Sequence, residues 1–218
     1  SRVELVGVYD EDTVLRDAAS EGLEVPGFTS LDEALGTGPS VALVGSVPAQ
    51  RAELARRALE AGAAVLIDNP SVLTHEALDG LMTAVERSSR SVVTNQPARG
   101  EPLMLAARSA FDAGRIGDLV RVFANGPHKI RVGKRKAWHW TRAGNGGSLI
   151  DIGGHGFDTC CWFADADPET ISAVHANTCW PRHPEFQDFG QARIRFSNGV
   201  LANIEVDWLT ADSMKTYG

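Results

Sequence analysis

The sequence predicts an α/β protein: a domain built on a parallel sheet, then an α+β domain with an open, largely antiparallel sheet. Three observations carry that expectation. Short, continuous apolar runs alternate with helical segments through the first half of the chain. From about residue 98 onward, strand-like runs follow one another with little helix between them. Two such runs are joined by Ser197-Asn198-Gly199, and Asn-Gly is a strong hairpin signal. The expected domains are therefore residues 1–98 and 99–218.

Taken in order, "VELVGVYD" (Val3–Asp10) reads as a strand, and "EDTVLRDAASEGL" follows with Val14, Leu15, Ala18 and Ala19 at helical spacing. "LDEALGTG" is a short helix ended by glycine, and "VALVGS" is a second strand. Ser46 is placed to cap the helix "PAQRAELARRALEAG", with Pro48 in its first turn and Gly62 just past its end. "AVLIDNP" is a third strand, "LTHEALDGLMTAVERS" a helix with Thr74 at the cap position, and "SVVTN" a fourth strand. In the second half, "EPLMLAARSAFDAGRIG" is a helix closed by Gly114 and Gly117. The strands "DLVRVFANG", "ETISAVHANTC", "DFGQARIRFS" and "VLANIEVDWL" come after it.

Composition narrows the function classes. With 218 residues, 43% hydrophobic and 22% charged, the chain has ample material for a core. A formal net charge of −7 argues against nucleic acid as a partner. No apolar run approaches the ~20 residues of a membrane span, and no signal peptide opens the chain, so no membrane partner is expected. Cys160, Cys161 and Cys179 make neither a disulfide framework nor a zinc spacing, so no metal is expected and the cysteines fit a reducing cytoplasm.

The most unusual stretch is "GGSLIDIGGHGFD", Gly146 to Asp158. Gly153, Gly154 and Gly156 would together cost roughly 2–3 kcal/mol inside a helix, so close approach by a backbone or a ligand is expected to offset them. On one continuous helix, Asp151, His155 and Asp158 share a face, with Ile150, Phe157 and Cys161 opposite. An imidazole flanked by carboxylates is an arrangement for moving a proton near neutral pH. The plainer alternative is a histidine satisfied by its neighbours, with glycines that merely allow tight packing. Asp10, at the end of the first strand, is either a helix N-cap or an acceptor for adenosine ribose hydroxyls that also repels a 2′-phosphate. In "KRKAWHWTR", Lys134, Arg135 and Lys136 read as a solvated loop, while Trp138 and Trp140 either wall a pocket for a sugar ring or plug the domain interface.

Several segments resemble the glucose–fructose oxidoreductase/inositol dehydrogenase/rhizopine catabolism (Gfo/Idh/MocA) family of NAD(P)-dependent oxidoreductases. They are "ALEAGAAVLIDNP", "FDAGRIGDLVRV", "GGSLIDIGGHGFDTCCWFA" and "FQDFGQARIRFSNGVLANIEVDWLT", in the family's order over nearly the whole chain. The resemblance implies a Rossmann domain, then an α+β domain whose open sheet mediates homo-oligomers, with the nicotinamide at the junction. It makes His155 the acid/base and Asp151 its partner or a substrate ligand. Asp10 becomes the ribose-binding acid, favouring NAD over NADP, and Pro48 part of a loop against the cofactor. Asn69-Pro70 falls where the family carries Lys-Pro beside the nicotinamide, and this bond is expected to be cis. Asn69, Trp138 and Trp140 join Asp151 and His155 as expected substrate contacts.

The implied reaction is hydride transfer between NAD and a secondary hydroxyl or carbonyl of a sugar, cyclitol or polyol. Two alternatives share the pocket: a lyase or NAD-dependent glycosidase with transient oxidation, and a non-catalytic nucleotide- or sugar-binding relative. Three departures stand out. The family's "EKP" reads Asp68-Asn69-Pro70, and asparagine brings neither a titratable group nor a charge. The first strand and glycine-rich phosphate turn of a Rossmann domain are missing ahead of Val3, and the chain stops after "VDWLTADSMKTYG" where family members continue, so a fragment of a longer protein is expected.

Overall fold

Residues 3–210 are described by the structure, a computed structural model. The chain divides into two units. One runs to Ser46 and takes in Gln50–Asp68 and His75–Thr94; the other holds Val47–Ala49, Asn69–Thr74 and the chain from Asn95.

In the first unit, β1 (Val8–Tyr9) and β2 (Gly27–Phe28) pair in parallel, with α1 (Thr13–Leu23) between them and α2 (Leu31–Gly36) after. A second parallel sheet has the order β3 (Val41–Val44), β4 (Ala64–Ile67), β5 (Val92–Thr94). The connections are α3 (Pro48–Glu60) and α4 (His75–Ser88). Leu59, Val65, Ile67 and Leu81 bury their side chains here, but Val41, Leu43 and Val93 are exposed, so the continuous apolar runs that predicted covered strands are covered on one face only. Of "VELVGVYD" only Val8 and Tyr9 are paired strand, because the partner is the two-residue Gly27–Phe28.

Arg51 of α3 is 7% exposed and ties two strand ends together. Its Nε donates to the Ser46 carbonyl at 2.7 Å and its Nη1 reaches the Asp68 carbonyl at 3.5 Å. Ser46 follows β3 and Asp68 follows β4, so one guanidinium holds both turns. The Ser46 hydroxyl itself bonds to Gln50 Oε1 at 2.9 Å.

The second unit contains α5 (Pro102–Asp112), β6 (Arg121–Pro127), α6 (Arg142–Asn145), α7 (Ser148–Asp151), α8 (Gly153–Ala164), β7 (Pro168–Ala176), β8 (Phe189–Phe196) and β9 (Leu201–Asp207). The sheet order is β6-β9-β8-β7. The two pairs made by β8 are antiparallel, as expected; β6 lies parallel to β9. A parallel pair requires a long crossover, and the chain between β6 and β9 supplies it. The β8–β9 hairpin turns at Asn198, whose amide donates to the Ala164 carbonyl at 2.8 Å. Ala192, Ile194, Phe196, Ala202, Ile204 and Val206 alternate inward, and α8 lies over β6 and β9. Arg193, Arg195, Leu201 and Phe123 occupy the other face and are exposed.

The helix face differs from the expected one at the cysteines. Cys160 is buried, with Ala164, and Cys161 is exposed. The inward stripe runs through 153, 157, 160 and 164, so the adjacent thiol turns away. Burial pushes the Cys160 thiol up to about 12.

His139 is the unexpected member of this core. It is 1% exposed, meets Trp138, Trp140 and Trp208 edge-on and tilts against Phe186. Neither ring nitrogen has a hydrogen-bond partner among the described residues. Burial, with the Arg135 charge second, lowers its pKa from 6.5 to about 4. A histidine whose folded pKa is depressed favours the fold while neutral. Its contribution is therefore complete above about 6.5 and is lost as pH falls toward about 4. The loss amounts to about 3 kcal/mol. Urea unfolding across that range should show this decline, and His139→Phe should flatten it.

Candidate functional site

The glycine-rich segment is not one helix. α7 ends at Asp151 and α8 begins at Gly153, with Ile152 between them. Two consecutive residues of positive φ, Gly146 (+80°) and Gly147 (+92°), turn the chain into α7. Ile152, the residue between them, keeps right-handed helical backbone (φ −85°, ψ −29°), so the chain stays helical from Asp151 to His155 although the two residues belong to α7 and α8.

His155 is half-buried, and its Nδ1 lies 2.9 Å from Gln96 Oε1. Gln96 Nε2 is 3.4 Å from Asn69 Oδ1, and Asn69 Nδ2 donates to the Asp151 carbonyl at 3.0 Å. Asn69 and Asp151, both expected at the site, are therefore joined directly, and Gln96 links them to His155. The partner that spacing assigns to the imidazole is a carboxylate; at Nδ1 the structure has an amide. Gln96 is a residue that sequence reasoning misses. The available signal is its place in "TNQPARG", just past a strand's carboxyl end, where α/β sheets present ligand-facing groups.

Asp158 is committed elsewhere. Arg99 grips it with two bonds of 2.8 Å, and the Arg99 guanidinium lies 5.5 Å from the Trp162 ring centroid. Hydrogen bonding to Asp158 raises the Arg99 pKa. Asp151 has a charged neighbour too: burial lowers the Arg135 pKa while the Asp151 carboxylate pulls it back up. Arg135 also sits 4.6 Å over the Trp208 ring, so it is not the solvated residue its loop suggests.

Of the other expected site residues, Pro70 is buried and the Asn69-Pro70 bond is cis. Pro48 is buried at the start of α3. Trp140 stacks on His183 at 4.0 Å and packs against Phe186 and Trp180, and Trp138 is half-buried against His139. Asp10 is exposed at the end of β1, where its Oδ1 accepts from the Asp12 amide at 2.8 Å. The N-cap of α1 is Asp12, bonding the amides of Val14 and Leu15. Asp10 therefore does not serve as the helix cap.

A methyl group added at Gly154 would lie 2.6 Å from Asn69 Oδ1 and 3.0 Å from Nδ2. At Gly156 it would lie 2.9 Å from Ile204 Cγ2 and 3.3 Å from the Ala124 Cβ. One glycine admits the Asn69 amide; the other lets α8 settle on the sheet.

Two family descriptions match this chain. Residues 1–96 match "Oxidoreductase family, NAD-binding Rossmann fold", and residues 104–217 match "GFO/IDH/MocA C-terminal domain". The chain belongs to the Gfo/Idh/MocA oxidoreductase family. It is 26% identical over 210 residues to Inositol 2-dehydrogenase 2 of Saccharopolyspora erythraea, covering 94% of this chain and 59% of that protein. Among solved structures, one from Erwinia carotovora atroseptica, classed as an oxidoreductase, superposes with a TM-score of 0.91 at 30% identity. That match covers 99% of this chain and 66% of the other. The WlbA dehydrogenase of Bordetella pertussis, solved with NADH and UDP-GlcNAcA, gives a TM-score of 0.86 at 21% identity over 97% of this chain and 66% of that one, a likeness of fold. The chain thus spans about three-fifths of the inositol dehydrogenase and just under two-thirds of the Erwinia structure.

The two glycines give contrasting expectations. Alanine in a helix gains up to about 1 kcal/mol over glycine. At Gly154 the obstacle is the end of a movable side chain, so Gly154→Ala should keep its melting temperature while displacing Asn69 from the Asp151 carbonyl. At Gly156 the obstacles are Ile204 and Ala124, with no free end to move, so Gly156→Ala should lower stability by about 1 kcal/mol. Thermal unfolding of the pair, with a structure of the first, checks both.

Proposed function

We propose that this protein is an NAD-dependent oxidoreductase acting on a secondary hydroxyl or carbonyl of a sugar, cyclitol or related polyol. The observation that carries the reading is a half-buried imidazole, His155, held at one nitrogen by an amide beside Asn69, in a chain of this family. Inositol 2-dehydrogenase 2 among the relatives, and a dehydrogenase solved with NADH and UDP-GlcNAcA among the similar folds, support the substrate class.

In the oxidative direction the hydroxyl proton passes to His155 Nε2 as the carbon gives up hydride, and the product is the carbonyl. When bound, NAD supplies the hydride acceptor. Asn69 and Asp151 orient the substrate; Trp138 and Trp140 contribute the wall beside it. Pro48 and Pro70 shape the cofactor contact, and the exposed Asp10 carboxylate takes the adenosine ribose hydroxyls while repelling a 2′-phosphate. NAD fits this residue set better than NADP.

The second unit's open sheet face is the proposed homo-oligomer surface, with Phe123 60% exposed among Arg121, Arg193 and Arg195. The cytoplasm is the proposed compartment, on the three free cysteines. A reading as a non-catalytic sugar- or nucleotide-binding protein rests on Asn69, which cannot titrate where the family places lysine.

Two measurements test the proposal on the full-length protein. His155→Ala should lower turnover of NAD with a responsive sugar or polyol by about 10²–10⁴-fold. A change below about tenfold would remove the acid/base role, and binding without turnover across a broad panel would favour the non-catalytic reading. Asp10→Ala should weaken NAD use roughly tenfold and improve NADP relative to it, measured as the ratio of kcat/KM values.

A further inference from the structure

We infer that Gln96 is a positioning residue that fixes the tautomer of His155, holding the proton on Nδ1 so that Nε2 is the basic atom. This deepens the proposed function and rests on it for its catalytic meaning. The tautomer itself follows from the hydrogen-bond geometry.

One group at the site has a polarity beyond choice, the Asp151 carbonyl. A backbone carbonyl only accepts, so the atom of Asn69 that lies 3.0 Å from the Asp151 oxygen is the NH2 end of its amide. That orientation turns Asn69 Oδ1 toward Gln96, 3.4 Å away, and an oxygen there calls for the NH2 end of Gln96. Gln96 Oε1 then faces His155 Nδ1 at 2.9 Å, and an oxygen acceptor at that distance requires a proton on Nδ1. In a neutral imidazole with Nδ1 protonated, the lone pair belongs to Nε2.

Each alternative breaks a link. Reversing Gln96 alone brings two amide oxygens together across the Asn69 contact. Reversing Asn69 as well moves the oxygen–oxygen clash to the Asp151 carbonyl. Direction set at a main-chain atom is thus carried through two side-chain amides to the ring. Neither amide changes charge with pH, so the direction they carry is the same at any pH. Gly154 belongs to the same device, since a methyl there would strike Asn69 Oδ1 and Nδ2.

The test reads the tautomer directly. Nitrogen-15 NMR of the imidazole distinguishes a protonated from an unprotonated nitrogen and needs neither cofactor nor substrate. In the full-length wild-type protein, at a pH where the ring is neutral, His155 should show Nδ1 protonated and Nε2 unprotonated. Gln96→Leu removes the acceptor, and the proton should move predominantly to Nε2. Asn69→Leu leaves the acceptor but removes what orients it, and should give a mixture. Gln96→Glu restores an oxygen acceptor and should recover Nδ1 protonation. A wild-type ring protonated at Nε2, or a Gln96→Leu ring unchanged from wild type, overturns the inference. If Gln96→Leu does not fold, the wild-type assignment and the Gln96→Glu and Asn69→Leu pair decide it.

Kinetics separates the two readings. With the tautomer as inferred, Gln96→Leu should lower kcat at least tenfold with KM nearly unchanged. Loss of activity in His155→Ala together with an Nε2-protonated wild type defeats the inference alone. The inferred tautomer with no turnover on any substrate supports the inference and defeats the oxidoreductase reading.

Discussion

Everything at this site depends on where one short amide rests. Asn69 Nδ2 on the Asp151 carbonyl is a side-chain-to-backbone bond spanning 82 residues of sequence. It ties the Asn69-Pro70 turn to the end of α7. Asparagine is short, and its amide lies where a side chain at residue 154 would stand, which is glycine.

Much of this arrangement is legible in the sequence, and the reasons are local. Pro48 and Gly62 bracket α3, and Asn198-Gly199 marks the hairpin. What stays hidden depends on partners far along the chain. Gly27–Phe28 is too short to announce itself as a strand, and it limits β1 to two residues. The parallel pairing of β6 with β9 comes from a crossover, about which neither strand's composition says anything. His139 sits in "KRKAWHWTR", whose charges suggest a loop, yet its ring is sealed among aromatics.

The same division holds within the candidate site. Gly154 and Gly156 draw attention by their cost to a helix, and both prove to be close approaches. Which partner each admits cannot be read from composition. Helical spacing groups Asp151, His155 and Asp158, but it does not reveal that Arg99 grips Asp158 or that Gln96 meets His155. Gln96 is invisible for the opposite reason. Glutamine after a strand has no distinctive spacing, and its importance lies wholly in what it touches.

An asparagine where the family pattern has lysine changes the physics as well as the chemistry. A lysine ammonium near an imidazole disfavours protonation of the ring, because like charges raise the free energy of the cation. Asn69 applies no such penalty, and its amide contributes direction instead. Direction is useful only if the neighbouring dipoles agree, which requires the short side chain to lie against its partners without a gap. A methyl group at 154 would force that contact apart, so Gly154 and Asn69 form a matched pair: the residue that lost its charge is held by the residue that has no side chain. The exchange puts amides against both the Asp151 carbonyl and His155 Nδ1. It explains how a site of this kind stays ordered without the ion pairing that lysine would bring, since amide, amide and imidazole each find a complementary end.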